Sequence, residues 1–481
     1  MTILPLDPTA NATPEALRVF LQQCRDAARR DGKPKLVSIS IAVDALDPLA
    51  VLESIFEPAE QHFYAERPAL DSAIAGAEAV CAIEAEGPER FATVQRFVDE
   101  TLAHTIAVGD VNAPFGGPHF FAAFAFRDTS EPGDAFPAAR VFVPRWQVAR
   151  AGERTTAVAN LVVTPDAPLD LLTEKVWRAH GKFRAFDYGA GRVSESAMRA
   201  AAARGDDATP SDEAAAKTEY CAAVNSALER IGRGEFNKIV LARTRTVRAG
   251  APLHPLQMLN QLRQRFPDCY AFSVANGRGQ SFIGATPERL ARASRGVLET
   301  EALAGSAPRG ASATEDARLG GALLRSEKDR REHNLVLESI RRRLAPLGLQ
   351  LETPVEPTLR KLANVQHLHT PVRAALPETV RLLDVLARLH PTPAVGGSPR
   401  EAAVARIREL EGFSRGLYAG ALGWLNARGG GEFFVGLRAA LIDGASARLF
   451  AGAGIVAGSS PVQEFSETEL KFRAMADALK L

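Results

Sequence analysis

Apolar residues recur at the spacing of a helix in four long segments of the chain. The first covers residues 14–30, where Thr13 can cap the first turn and apolar side chains fall three or four positions apart. The same spacing predicts helices over 219–231, 321–347 and 461–481. Two shorter helices are predicted on either side of the loop PTPAVGGS.

Alternating or continuous short apolar runs between turn residues predict the strands. In the first half of the chain these runs cover 35–43, 62–68, 117–128, 139–150 and 155–163. In the second half they include NKIVLARTRTV, CYAFSVA and GQSFIGA, of which the last two flank the turn sequence NGRG. Because the strands follow one another as hairpins and not as strand–helix–strand units, the sequence predicts an α+β fold with antiparallel sheets.

The least structured stretch is AARGDDATPSDEAAAK, residues 202–217, which is rich in Ala, Asp, Pro and Gly. This composition predicts an exposed linker. It divides the chain into an N-terminal part, 1–201, and a C-terminal part, 218–481. The length of 481 residues would suggest about three domains, and one large enzyme domain is the alternative.

Composition excludes several classes of function. The net charge is +1, so no basic surplus indicates binding to nucleic acid or to an anionic membrane. The four cysteines are widely spaced and form no CxxC pair, which favours reduced thiols over disulfides or zinc. No apolar run approaches the roughly 20 residues of a membrane span, and the first residues do not have the pattern of a secretory signal. We therefore expect a cytoplasmic protein.

Lys238 stands at the start of a predicted strand and shares one face of it with Val240 and Ala242. Either its stem lies along apolar surface while the ammonium reaches water, or the side chain enters a cavity and takes part in chemistry. For a single lysine the first interpretation is the more common one.

Two pairs of carboxylates lie at helical spacing. Asp329 and Glu332 are three residues apart on one predicted helix, and Glu464 and Glu467 are three apart on another, so each pair shares a face. If the pairs face each other, they form an oxygen-rich site suited to Mg²⁺. Each pair alone is more often a solvated helix face. Glu288, in GATPERL, is either an exposed turn residue or a buried acid.

Nine sequence blocks, in order, resemble the chorismate-utilising enzymes. They are NKIVLAR, GATPERL, TEALAGSAPRG, SEKDRREHNLV, VQHLHTPV, HPTPAVGGSP, LYAGALGW, FFVGLRAA and AGAGIVAGSSPVQEFSETELKF. The resemblance is strong over about 215–481 and looser before that, through FYAERP and FFAAFAFRD. It implies a single large α+β domain in which two antiparallel sheets pack together with helices outside, and not three domains.

The resemblance also implies roles for individual residues. Lys238 matches the base of members that add water to chorismate, and Glu288 matches the general acid. Glu332 and Glu467 match direct Mg²⁺ ligands, while Asp329 and Glu464 match carboxylates that act through metal-bound water. The residues that match the substrate pocket are Gly305, Ser306, His367, Ala394, Tyr418, Arg438, Gly452 and Lys471.

The implied reaction is the Mg²⁺-dependent conversion of chorismate to isochorismate. Members that also expel pyruvate, the salicylate synthases, tend to carry Thr where this chain has Ala394, and members that use ammonia usually lack the lysine. Both remain alternatives, together with a non-catalytic chorismate-binding relative. No glutaminase subunit is expected, and the sequence leaves open whether the product serves menaquinone, siderophore or salicylate synthesis.

Overall fold

A computed structural model describes residues 1–4, 13–184, 210–363 and 365–481. The helices in this part of the chain are α1 (Pro14–Asp31), α2 (Pro48–Ser54), α3 (Arg90–Ala103), α4 (Leu169–Arg184), α5 (Pro210–Gly232), α6 (Pro255–Arg265), α7 (Ala313–Arg325), α8 (Glu327–Leu344), α9 (Leu382–Leu389), α10 (Arg400–Glu411) and α11 (Pro461–Leu479).

The strands are β1 (Thr2–Leu4), β2 (Lys35–Val43), β3 (Gln61–Arg67), β4 (Ser72–Ala85), β5 (Thr105–Gly109), β6 (His119–Phe124), β7 (Ala139–Ala151), β8 (Arg154–Val163), β9 (Lys238–Arg248), β10 (Tyr270–Asn276), β11 (Gln280–Thr286), β12 (Arg289–Ser294), β13 (Val297–Pro308), β14 (Thr358–Lys361), β15 (Val365–Ala375), β16 (Gly397–Ser398), β17 (Ala421–Asn426), β18 (Gly431–Val435), β19 (Ala439–Asp443) and β20 (Ser446–Val456). The mixed α+β class is confirmed.

The strands form one continuous sheet, so the expectation of two separate sheets is wrong. The reason lies in β7, which is 13 residues long. One edge of β7 pairs with β4, while the other edge pairs first with β6 and then, beyond residue 145, with β8. A register shift between Ala79 and Cys81 marks an irregularity in the β4–β7 ladder, of the kind that locally bends a strand.

The sheet therefore has two arms that share β7. The first arm runs, in hydrogen-bonded order, through β1, β5, β2, β8, β7, β4, β3, β10, β11, β19, β20, β9 and β16. The second arm leaves β7 through β6, β17, β18, β12, β13, β15 and β14. Pairing is antiparallel except where β5 pairs with β1 and β2.

Aromatic side chains from the two arms stack on one another and form the main core. Phe63 on β3 lies 4.7 Å from Phe121 on β6, and Tyr270 on β10 lies 4.9 Å from Phe434 on β18, measured between ring centroids. Such pairs contribute beyond the area that they bury. A second core lies between the first arm and helices α2, α6 and α11, and a third between β2, β5, β8 and helices α1 and α4.

Two predicted segments differ from the structure. The single helix expected over 321–347 is two helices, because Ser326 ends α7 and caps α8 by accepting a hydrogen bond from the Asp329 N–H at 3.3 Å. The serine oxygen replaces a helical partner for that N–H, which favours a new helix start.

The linker expected over 202–217 is in part a helix. Residues 202–209 lie outside the described residues, but 210–217 form the first two turns of α5. Pro210 suits the first turn of a helix, and the alanines that follow are strong helix formers. No helix among the described residues has the length and apolar character to cross a membrane.

Candidate active site

Lys238 lies inside the protein at the first residue of β9. Its side chain is only 6% exposed, and its Nζ donates a hydrogen bond of 2.7 Å to Glu332 Oε1. Gly454 on β20 leaves room for it, since a Cβ there would lie 3.2 Å from Lys238 Cε. The interpretation in which the ammonium reaches water along the surface is therefore wrong.

Glu332 reaches Lys238 from the second turn of α8. Burial works to raise the pKa of this carboxyl, but the Lys238 ammonium, together with smaller contributions from Lys328 and His333, holds the pKa below its ordinary value. The result is an ion pair, buried at Lys238 and half-buried at Glu332, that connects the start of β9 to α8.

Asp329 is held at the start of the same helix by its cap. The Ser326 hydroxyl donates to Asp329 Oδ2 and also accepts from the Asp329 N–H. Gly305, at a bulge in β13 with a φ of 76°, lies against this carboxylate. A Cβ at Gly305 would lie 3.1 Å from Asp329 Cβ. The glycine therefore allows both the left-handed backbone conformation and the close approach of β13 to the Asp329 side chain.

Glu288 lies in the turn between β11 and β12. Thr392, from the loop before β16, donates to its Oε1 at 3.4 Å. Burial and then the charge of Glu301 raise the pKa of Glu288 to about 7, while Thr392 and the Lys238 ammonium act in the opposite direction. The pattern of pKa perturbation by burial and specific charges is typical of functional acids.

The second carboxylate pair lies in the first turns of α11. Glu467 Oε1 is 2.8 Å from Lys471 Nζ, and this ammonium also donates to the Gly452 carbonyl at 2.7 Å. Burial and the neighbouring Glu467 raise the pKa of Glu464, against the opposing hydrogen bond from Ser459. The charge of this pair is therefore incompletely compensated.

The four carboxylates do not converge in this structure. Among the described residues, no three His, Cys, Asp or Glu side chains lie close enough together to hold one metal ion. Instead, the ammonium groups of Lys238 and Lys471 donate hydrogen bonds to Glu332 and Glu467, the two glutamates that match direct Mg²⁺ ligands. The donor set nevertheless fits Mg²⁺ in its chemistry, since all four donors are carboxylates and Glu464 lies close enough to Glu467, and to Lys328 on α8, for their charges to influence its pKa.

Arg438 carries a positive charge and is half-buried. It has a φ of 47°, and burial lowers the pKa of its guanidinium. Among the described residues no carboxylate lies within ion-pair distance of it, and its Nη1 donates a hydrogen bond to Cys269 Sγ at 4.0 Å. A half-buried guanidinium that has no carboxylate partner among the described residues is suited to binding a carboxylate.

Of the remaining residues that match the substrate pocket, His367 lies close enough to Arg438 and Lys471 for both charges to influence its pKa. His367 Nδ1 is 2.8 Å from Ser306 Oγ, and burial and the Arg438 charge lower the pKa of His367 to about 4, so the ring is neutral near pH 7. Its Nε2 is buried without a protein partner among the described residues. Tyr418 is 5% exposed, and a Cβ on Gly452 would lie 3.1 Å from its hydroxyl.

A buried ion pair that the motifs did not single out fixes β9 to the loop that contains Ala394. Arg415 donates to the carbonyls of Val395 and Val240, each at 2.8 Å, and pairs with Glu411. Glu411 in turn accepts the Ala242 N–H at 2.6 Å. The only signal in the sequence is a Glu and an Arg four residues apart, which is too common to be informative.

The mixed α+β fold brings a buried lysine, Lys238, close enough to Glu288 to influence the pKa of that carboxyl, an arrangement typical of an enzyme. The sequence matches the family described as Chorismate binding enzyme over residues 20–480. The chain belongs to this family.

Similar proteins cover nearly the whole chain. The salicylate biosynthesis isochorismate synthase of Pseudomonas aeruginosa is 38% identical over 96% of this chain and 94% of its own length. Isochorismate synthase MenF of Bacillus subtilis is 33% identical over 92% of this chain and 93% of its own. The structure of MenF, the menaquinone-specific isochorismate synthase from Escherichia coli, superposes with a TM-score of 0.75 at 27% identity, covering 96% of this chain and all of that one.

The contact between Gly305 and Asp329 can be tested with a matched pair of variants. Gly305→Ala and Gly279→Ala both place a side chain at positive φ, which costs roughly 1–2 kcal/mol, but only the first meets a neighbour. We expect both to lower the melting temperature, and only Gly305→Ala to weaken chorismate binding about tenfold or more in calorimetry. Equal chorismate affinity in the two variants would show that this contact does not shape the site.

Proposed function

We propose that this protein is an isochorismate synthase, which adds water at C2 of chorismate, shifts the ring double bonds and releases the C4 hydroxyl as water. The observation that carries the proposal is the buried Lys238, close enough to Glu288 to influence its pKa. The full-length similarity to isochorismate synthases supports it. One water enters and one leaves, so the reaction is an isomerisation without redox change.

Lys238 is the proposed base. Water is a weak nucleophile and gains reactivity when a positioned group removes its proton. In the structure Lys238 donates to Glu332, so base action requires the amine to separate from this partner and lose a proton when substrate is bound. Its position at the start of β9, fixed by Glu411 and Arg415, keeps the amine in place.

Glu288 is the proposed acid. A hydroxide is a poor leaving group, and protonation of the C4 oxygen lets it depart as water. With a pKa of about 7, Glu288 carries a proton on a large fraction of molecules near neutral pH, unlike an ordinary glutamate. Thr392 orients the carboxyl through its hydrogen bond.

Two groups of residues are proposed to bind the substrate. Arg438, Tyr418 and Lys471, with Gly452 leaving room beside them, hold the enolpyruvyl carboxylate. The ring packs against Gly305, Ser306 and His367, where the buried His367 Nε2 offers a polar partner. A fork of guanidinium donors suits a planar carboxylate.

Mg²⁺ is the proposed cofactor, with Glu332 and Glu467 as direct ligands and Asp329 and Glu464 as outer carboxylates. When bound it would hold the carboxylate on the ring. The N-termini of α8 and α11 contribute to the same region, where acidic residues are favoured.

The product distinguishes this proposal from its alternative, a salicylate synthase. Wild-type protein with chorismate and Mg²⁺ should approach a chorismate–isochorismate equilibrium and release little pyruvate or salicylate, because Ala394 lacks the hydroxyl that members expelling pyruvate tend to carry. Chromatography identifies the products, and a lactate-dehydrogenase-coupled assay measures pyruvate. Ala394→Thr should add some pyruvate release. Pyruvate formed in step with chorismate loss by the wild type would overturn the proposal in favour of a salicylate synthase.

Metal dependence can be tested by binding as well as by turnover. We expect a chelator to abolish activity, Mg²⁺ to restore it, and Glu332→Gln or Glu467→Gln to remove Mg²⁺ binding in calorimetry without loss of the fold by circular dichroism. Glu327→Gln, an exposed carboxylate on the same helix as Glu332, is the matched control and should bind Mg²⁺ as the wild type does. Full activity in metal-free protein would contradict the assignment.

The acid and base assignments predict large losses of kcat. Lys238→Ala and Glu288→Gln should each lower kcat by about 10²–10⁴-fold, the usual effect of removing a positioned acid or base. Lys238→Arg keeps a positive charge beside Glu332 but cannot accept a proton at neutral pH, so it should be equally impaired. A Lys238→Arg enzyme within a few-fold of wild type would reduce the role of Lys238 to charge alone.

A further inference from the structure

A buried carboxylate with no role in the mechanism lies beneath the turn that contains Glu288. Glu301 is on β13, with a side chain only 4% exposed. A buried carboxylate has a large desolvation cost unless several donors satisfy it. The identity of these donors indicates what Glu301 does.

Glu301 is hydrogen-bonded on both oxygens. Oε1 accepts the backbone N–H of Arg289 at 3.1 Å and Arg360 Nη1 at 2.7 Å, and Oε2 lies 3.1 Å from His369 Nε2. Burial works to raise the pKa of Glu301, but His369, Arg360 and the Arg289 guanidinium lower it to about 2. The group is therefore ionised at neutral pH.

One of these bonds acts directly on the acid. Arg289 follows Glu288 in the chain, so the bond to its N–H fixes the peptide that sets the direction of the Glu288 side chain. Two charged groups face Glu288, the negative Glu301 from β13 and the positive Lys238 from β9, and Thr392 donates to it from the loop before β16. A like charge disfavours ionisation and an opposite charge favours it.

We propose that Glu301 is a positioning residue for Glu288, which holds the turn through the Arg289 N–H and whose negative charge keeps the Glu288 carboxyl in its proton-bearing form. This proposal depends on the proposed function in one respect, which is that Glu288 acts as the acid. A purely structural Glu301 would join β13 to β14 and β15 through Arg360 and His369 and would leave the protonation of Glu288 unchanged.

Two substitutions at Glu301 separate charge from position. Glu301→Gln keeps an oxygen for the Arg289 N–H but removes the charge, so Glu288 should lose its proton at a pH lower by about 1 unit. Glu301→Asp keeps the charge but is one methylene shorter, so kcat should fall while the pH of proton loss stays the same.

Protonation of Glu288 is measured without turnover. In the full chain with Mg²⁺, the infrared band of its protonated carboxyl is assigned by its absence in Glu288→Gln and followed as the pH rises. The same titration is compared with the high-pH decline of kcat/KM, which reports loss of the proton from the acid. Both should move to lower pH in Glu301→Gln.

A matched control and an opposing variant complete the test. Glu299→Gln removes a carboxylate from the same strand that pairs with the Arg289 side chain but not with its N–H, and should leave the infrared titration unchanged. Arg360→Gln removes a positive neighbour of Glu301, so the Glu288 titration should move to higher pH. If Glu301→Gln fails to fold, the direction in which Arg360→Gln moves the Glu288 titration tests the electrostatic role of Glu301 instead.

An unchanged titration in folded Glu301→Gln, or no upward shift in Arg360→Gln, would overturn the electrostatic role. Wild-type kcat in Glu301→Asp would overturn the positioning role. Because the infrared titration needs no turnover, it stands even if the wild type forms a product other than isochorismate, and failure of the proposed function is then recognised separately by product analysis.

Discussion

The ion pair between Lys238 and Glu332 is the interaction on which the site depends. A lysine whose side chain is 6% exposed requires a partner, because an uncompensated buried charge costs several kcal/mol. The pair joins the first residue of β9 to the second turn of α8, and the ion pair of Glu411 and Arg415 secures β9 from the other side. Lys238 is thereby held close to Glu288 without being exposed to water.

The charged side chains around this ion pair differ in whether they have a partner of opposite sign. Buried charges such as Glu301, Glu411 and Lys238 have partners of opposite sign within the protein, and Arg438 has none among the described residues. The neutral His367 beside it adds no competing positive charge. Compensated charges therefore surround Lys238 and Glu288, whereas the guanidinium of Arg438 is free to pair with a carboxylate in the proposed site.

Several features of the fold and site could be predicted from the sequence because they depend on local pattern. The helix at Pro14, the strand at Lys35–Val43 and the hairpin around Asn276 form as their periodicity and turn residues indicate. The sequence also contains a signal for the break between α7 and α8, since Ser326 and Asp329 have the spacing of a capping box. The apolar residues on both sides continue at helical spacing, and they therefore predict one uninterrupted helix. The nine blocks identified the family through their order.

The sequence by itself determined most of the element types, the family and the candidate acid, base and metal-binding residues, since these depend on short spacings and on the order of motifs. Only the tertiary structure decided that β7 joins two arms into one sheet, because strand pairing depends on contacts between distant segments. It also decided that Lys238 pairs with a glutamate 94 residues away and that Glu301 lies beside Glu288. Burial and neighbouring charges set the protonation of these groups, and neither is defined until the chain has folded.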